Sequence, residues 1–209
     1  MIQKIKTESF EKEKNNDFLN LLSDFSDSTI KNTGFLVKSF FNSSVKWEDI
    51  LELIHENSSI DNEELSFEAK KATSNGFVNE KASGNVLIVD DLYFSVALDH
   101  NGSFFPSEIK DTLKGISSSK SHKKFVYGSS HIKVSIGSRL VTSHKDKWGA
   151  IVFQLTGKST WNLQYPESGY NESFVVEPGD ILYFPQGMFH SIKSNSARSS
   201  IIIPMEELQ

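Results

Sequence analysis

The segment TSHKDKW, residues 142–148, sets His144 and Asp146 two residues apart. It follows HIKVSIG, a run that alternates apolar and polar residues as a β-strand does. Successive strand residues point to opposite faces, so side chains at i and i+2 project together. An imidazole and a carboxylate on one face have two readings. They form the solvated tip of a hairpin, where His, Lys and Asp are common, or they form half of a site for a metal ion. With no cysteine in the chain, thiolate ligands and a cysteine nucleophile are excluded, and imidazole and carboxylate are the donors that remain.

Further along, EPGDILYFPQGMFH passes from a turn at Pro178-Gly179-Asp180 through an apolar strand to a second turn at Pro185-Gln186-Gly187. It delivers His190 at the start of HSIKS. Alone, His190 reads as a hydrogen-bonded core or rim residue. Combined with His144 and Asp146, it completes the two-histidine, one-carboxylate facial set of non-haem Fe(II) oxygenases. The intervening chain is long enough for several strands, and a closed double-stranded barrel returns it to the same mouth. Three protein donors leave positions open for a bidentate 2-oxoacid and for dioxygen.

The two segments resemble a known family. HKDKWGAIVFQLTGKSTW carries His144-x-Asp146, then Gln154, Gly157 and Trp161, in the pattern of the first motif of the JmjC and cupin-like 2-oxoglutarate oxygenases. PGDILYFPQGMFH is similar to the second motif, which carries the distal histidine. The ribosomal-oxygenase branch is the nearest, and the matching part is about residues 130–205. The resemblance implies a metal site of His144, Asp146 and His190 for Fe(II), with 2-oxoglutarate as cosubstrate and dioxygen as oxidant. It implies hydroxylation as the default outcome. A cupin-type metal enzyme that does not use 2-oxoglutarate, and a non-catalytic binding module on the same barrel, are the alternatives.

The distal carboxylate of 2-oxoglutarate needs a buried cation. Where relatives of this branch carry Lys or Arg, this chain has Ser159. Lys158 is adjacent but on a regular strand faces away from Ser159 and Trp161. Arg198, in SARSSIIIP, is the preferred anchor, because a guanidinium binds a carboxylate bidentately. Its R-x-S spacing to Ser200 resembles the arginine–serine pair of other 2-oxoglutarate oxygenases. Gln154 and Tyr183 are candidate pocket residues, and Trp161 and Phe184 are expected in the barrel core. His131 reads as structural or exposed, and His55, His100 and His122 have no paired carboxylate.

These residues must be positioned by strands. KFVYG, HIKVSIG, AIVFQL, STWNLQY, SFVVEP, DILYF, HSIKS and RSSIIIP follow one another with short turn-rich breaks, the mark of an antiparallel sandwich or barrel. The expected fold is mainly β, a double-stranded β-helix (jelly-roll or cupin barrel) with N-terminal helices. One domain spans 1–209, with 124–209 as the barrel core and 1–123 packed on it. Apolar spacing predicts helices around Phe18–Phe25 and over VKWEDILELIHEN, the latter capped by Ser44. PSEIKDTLKGI predicts a short helix, NVLIVDD, YFSVALD and TGFLVKSFF predict strands, and residues 56–82 read as long loops. SSSKSHKK, residues 117–124, reads as a solvated basic loop.

The chain has 209 residues, with 22 Lys and Arg against 27 Asp and Glu, a net charge of −5. That balance argues against general nucleic-acid binding. The polar N-terminus and the lack of any long apolar run predict a cytoplasmic protein with no membrane span. The chain ends at MEELQ, soon after His190, without room for the C-terminal dimerisation and winged-helix regions of the ribosomal branch. A small molecule, an amino acid or a peptide is therefore the expected substrate, and the sequence sets no oligomeric state.

Overall fold

The computed structural model describes residues 8–9, 34–57, 69–73, 76–80, 92–98, 107–118, 125–127, 130–136, 139–165 and 169–207. The expected helix at Phe18–Phe25, the strand at NVLIVDD, most of SSSKSHKK, His100 and His122 lie outside them. The elements, in order, are β1 (Glu8–Ser9), β2 (Phe35–Lys38), α1 (Trp47–Asn57), β3 (Ala69–Thr73), β4 (Gly76–Glu80), β5 (Leu92–Leu98), α2 (Ser107–Ser118) and β6 (Phe125–Tyr127). The barrel strands follow: β7 (Ser130–Ile136), β8 (Arg139–Lys145), β9 (Gly149–Thr156), β10 (Ser159–Gln164), β11 (Asn171–Val176), β12 (Ile181–Phe184), β13 (Phe189–Ser194) and β14 (Arg198–Glu207).

From β8 onward the chain shuttles between two sheets. The large sheet runs β1-β2-β12-β9-β14-β7-β5, with β6 also on β14, and the small sheet runs β11-β10-β13-β8. This is the double-stranded β-helix that the motif spacing requires. Sequence pattern and position agree strand by strand. β9 lies inside the large sheet and all eight of its residues are buried, as expected of a strand covered on both faces. β10, β11 and β13 in the small sheet alternate buried with more exposed residues, because only their inner face is covered.

Two apolar layers result. Between the sheets lie Leu36, Val152, Trp161, Leu163, Phe174, Leu182, Phe184, Met188 and Ile192. On the outer face of the large sheet, Ile132, Val134, Ile151, Phe153, Ile201 and Ile203 pack against Ile50 of α1 and Ile109 and Leu113 of α2. The helices thus cover the back of the sheet that carries half of the barrel.

Three expectations need correction. The α1 helix starts at Trp47, and the Asp49 carboxylate in its first turn accepts the N–H of Lys46, the residue just before it, at 2.7 Å. Ser44 is not the cap, because the third-position acid reaches back instead. Residues 56–82 are not all loop: β3 and β4 form a hairpin with Thr73 paired to Gly76. Their sequences, AKKAT and GFVNE, are too polar to show a strand period. The third is a strand missed altogether: β8 follows HIKVSIG and itself carries His144.

The turn before β12 is fixed by Asp180, which is buried. Its carboxylate accepts the backbone N–H groups of Ser39 and Glu177, each at 2.8 Å, and lies 2.7 Å from Lys38 Nζ. Ser39 has a φ of 50°, a strained value for a residue with a side chain, and the Asp180 bond holds it there. Gly179, at φ 93°, could not carry a Cβ, which would collide with the Phe41 carbonyl. Asp180→Ala should therefore lower unfolding free energy by about 3 kcal/mol, the scale of removing a buried charged hydrogen-bond acceptor. The shift of the urea midpoint measures it.

Candidate metal centre

β8 and β13 pair antiparallel, with His144 directly opposite His190. The pairing is irregular between His190 and Ile192, where Ile192 faces Val141. Val141 and His144 are an odd number of residues apart, so a regular strand would turn them to opposite faces. The extra residue in β8 lets Val141 join the inner core while His144 also points inward beside His190. Bulges beside functional sites re-aim side chains in this way. The two imidazole centroids stand 4.3 Å apart.

Asp146 follows the last residue of β8. Its carboxylate oxygens lie 4.0 Å from His144 Nε2 and 3.7 Å from His190 Nε2. Its backbone carbonyl accepts the Gly187 N–H at 3.3 Å, tying this loop to the turn before β13. One donor atom from each of the three residues lies within 4.8 Å of the others. His144, Asp146 and His190 therefore converge.

The hydrogen bonds set which nitrogens face the cluster. His144 Nδ1 is 2.9 Å from the Thr142 carbonyl, and His190 Nδ1 is 3.1 Å from the Met188 carbonyl. A carbonyl can only accept, so each ring carries its proton on Nδ1 and turns the Nε2 lone pair to the centre. Second-sphere bonds of this kind prepare histidines for metal. Two neutral nitrogens and one carboxylate form a donor set that fits a divalent first-row ion.

The three donors differ in exposure. The His190 side chain is 3% exposed, against 42% for His144 and 35% for Asp146. Trp161 stacks on the His190 ring at 5.9 Å, and Phe184 packs on it at 4.5 Å. Burial lowers the His190 pKa, while the Met188 hydrogen bond and the Asp146 charge oppose the shift and His144 adds to it. Trp161 and Phe184 are core residues, as expected, and they also form the wall behind the buried ligand.

Arg198 and Ser200 lie on β14, and their register partners on β7 are Ser135 and Lys133. Alternation places all four on the face opposite Val134, Ile132 and Ile201, toward the barrel interior. Arg198 is 2% exposed and its Nη1 donates to Ser200 Oγ at 3.2 Å. Ser159 also points inward. Its hydroxyl donates to Gln154 Oε1 at 3.1 Å and accepts the Trp161 indole N–H at 3.0 Å. Gln154 Nε2 donates to the carbonyls of Thr156, Gly157 and Ser199, which makes it a brace of the barrel wall at the irregular pairing of β9 with β14.

Two candidates fall outside the interior. Lys158 is 68% exposed and pairs with Glu177, so β10 is regular here and the lysine faces away as alternation requires. Tyr183 belongs to the outer core and packs on Phe35 at 5.1 Å. His55 is exposed on α1. His131 is half-buried, with its pKa lowered by burial and by Lys133. Sequence reading missed the buried hydroxyls of Ser135 and Ser194, which have no hydrogen-bond partner among the described residues. It also missed Lys133 on the same face. The alternation of HIKVSIG carried the signal for Ser135 and Lys133, because residues opposite Ile132 and Val134 must face inward.

Burial of His190 in neutral form has a consequence for pH. Its folded pKa lies below the unfolded value, so in acid the unfolded chain takes up a proton that the folded chain resists. The associated stability is complete above about pH 6.5 and is lost as pH falls below it. Urea unfolding of metal-free protein at about pH 7.5 and 5.5 should show a loss of about 1 kcal/mol that His190→Gln lacks.

No protein-family profile matches the chain, and no curated protein is significantly similar to it in sequence. Solved structures are similar in fold. YcfD, a ribosomal oxygenase from Escherichia coli, in complex with cobalt and 2-oxoglutarate, superposes with a TM-score of 0.67 at 17% identity, over 90% of this chain and 52% of that one. A second structure of YcfD gives 0.64 at 16% identity, over 90% and 51%. Its complex with cobalt and succinic acid gives 0.64 at 14%, over 90% and 52%. The chain thus spans about half the length of these neighbours and shares their barrel fold.

Proposed function

We propose that this chain is an Fe(II)- and 2-oxoglutarate-dependent oxygenase that hydroxylates a small molecule, an amino acid or a peptide. The observation that carries this reading is the convergence of His144, Asp146 and His190 with both Nδ1 atoms committed to backbone carbonyls. The neighbour crystallised with cobalt and 2-oxoglutarate supports it by fold. Iron, when bound, would supply the centre at which dioxygen, the oxidant, takes two electrons from 2-oxoglutarate, which leaves as succinate and CO2, and two from the substrate, whose C–H becomes C–OH.

The chain's own part is to bind, orient and exclude water. His144 and His190 offer neutral nitrogens, and Asp146 supplies the charge that offsets part of a divalent cation. Trp161 and Phe184 cover the His190 side of the centre, leaving the His144 and Asp146 side toward solvent. Arg198 is the anchor for the distal carboxylate of 2-oxoglutarate. Its guanidinium is buried inside the barrel, already bonded to Ser200, whose hydroxyl can turn its proton to the same carboxylate. Ser159 and Gln154 line the same interior, with hydrogen bonds to each other and to the barrel wall.

Ser159, standing where the resembling branch has a cation, favours one second reading: a cupin-type metal enzyme that does not use 2-oxoglutarate. Anaerobic titration with Fe(II) and 2-oxoglutarate separates the two. A visible charge-transfer band on adding both is expected. Oxygen uptake that needs Fe(II) but not 2-oxoglutarate would identify the alternative, and failure to bind any divalent metal would leave a binding module.

Arg198→Ala should leave Fe(II) affinity near that of the parent and weaken 2-oxoglutarate at least ~30-fold, the scale of truncating a buried charge pair. Lys158→Ala should change neither. Calorimetry with Mn(II) in place of iron reads both constants. A silent Arg198→Ala would remove Arg198 from the site.

A further inference from the structure

Leu163 of β10 pairs with His190 on one side and with Glu172 of β11 on the other. The three residues form one row across the small sheet, so their side chains leave the same inner face. His190 and Glu172 stand two strand spacings apart, roughly 9.5 Å between Cα atoms. Along β10, Ser159 lies toward the Arg198 end, and Tyr165, two residues beyond Leu163, lies toward the other end. Glu172 thus shares the metal row, and Tyr165 lies beyond that row, at the end away from Ser159.

Glu172 is half-buried, yet among the described residues no Lys or Arg pairs with it. Its hydrogen-bond donor is the Tyr165 hydroxyl, at 3.5 Å. The Tyr165 and Tyr170 rings lie 6.0 Å apart, so aromatic surface flanks the carboxylate. Burial raises the Glu172 pKa against the Tyr165 bond, and burial followed by the Glu172 charge raises that of Tyr165. A partly desolvated carboxylate without a cation is costly. A carboxylate beside aromatic rings is a combination that recognises organic cations.

We propose that Glu172 and Tyr165 form the specificity subsite of the centre, taking a protonated amine carried by the substrate. The assignment rests on the oxygenase reading for the identity of the site, but its geometry is independent of what His144, Asp146 and His190 hold. An ammonium between Glu172 and the two tyrosine rings gains a charge-assisted hydrogen bond and cation–π contact. The substrate is thereby held by one end while another of its carbons lies toward the metal row.

The test uses two probes of matched shape, N-acetyl-L-lysinamide and N-acetyl-L-norleucinamide. Binding to Zn(II)-loaded protein is followed by NMR titration. The lysine probe should bind about tenfold more tightly, the scale of one hydrogen bond to a charged group. Glu172→Gln should abolish that preference, and Tyr165→Phe should reduce it. The unfolding midpoint of Glu172→Gln should stay level or rise, because a half-buried charge is removed. Equal binding of the two probes, or a preference that survives Glu172→Gln, overturns the assignment. A fallen midpoint with unchanged preference makes Glu172 structural and also overturns it. Mn(II) affinity is read separately, with metal-free protein titrated in parallel. Loss of metal binding with the lysine preference intact removes the iron reading and leaves the subsite standing, whereas metal binding without the preference removes the subsite alone.

Discussion

The pairing of His144 with His190 across β8 and β13 is the contact on which the site depends. A single residue of slippage would turn one imidazole out of the barrel. The register is held on both sides. Leu163 of β10 backs His190 from the neighbouring strand, and the Asp146 carbonyl bonds to Gly187 at the turn that launches β13. The bulge in β8 then brings Val141 and His144 to one face. Strand pairing, not local sequence, thus makes two histidines far apart in the chain into one pair of donors.

The large sheet gives this arrangement its stiffness. Its outer face is sealed by α1 and α2 through Ile50, Ile109 and Leu113, and its inner face by the small sheet. Lys38 joins the two edges of that design: its ammonium contacts Asp180 and Glu177 and donates to the Val175 carbonyl of β11. Glu177 also meets Lys158, and these two cations hold its carboxyl below the usual range. Lys158 therefore serves the outside of the barrel at the mouth of β10. Its neighbour Ser159 serves the inside, as strict alternation demands.

Much of this was legible in the sequence. The strand series from β9 to β14 follows from turn residues and the period of two, and the three donors and Arg198 were singled out by residue type together with the family resemblance of their motifs. β8 was not legible, because RLVTSHK carries its apolar residues out of phase, and the phase is restored only by a bulge that forms against β13. Tyr183 was misjudged for a related reason. ILYF is apolar on both faces, so no pattern distinguishes the inward Leu182 and Phe184 from the outward Ile181 and Tyr183. Ser44 was displaced as a cap by Asp49, a competition between neighbours in which both sequences look adequate. The AKKAT–GFVNE hairpin owes its strands to pairing and gave no periodic signal of its own.

The unequal exposure of the three donors implies a direction for traffic through the centre. His144, near the end of β8, and Asp146, in the short loop that follows, sit on the solvent side, while His190 is clamped beneath Trp161 and Phe184. An ion arriving from solution meets this pair first and engages the buried imidazole last. Departure reverses that sequence only if His190 lets go early, which its packing resists. Chelators working from the solvent side would therefore compete first with that pair, and the kinetics of metal exchange would report motion of residues 144–148 rather than opening of the barrel.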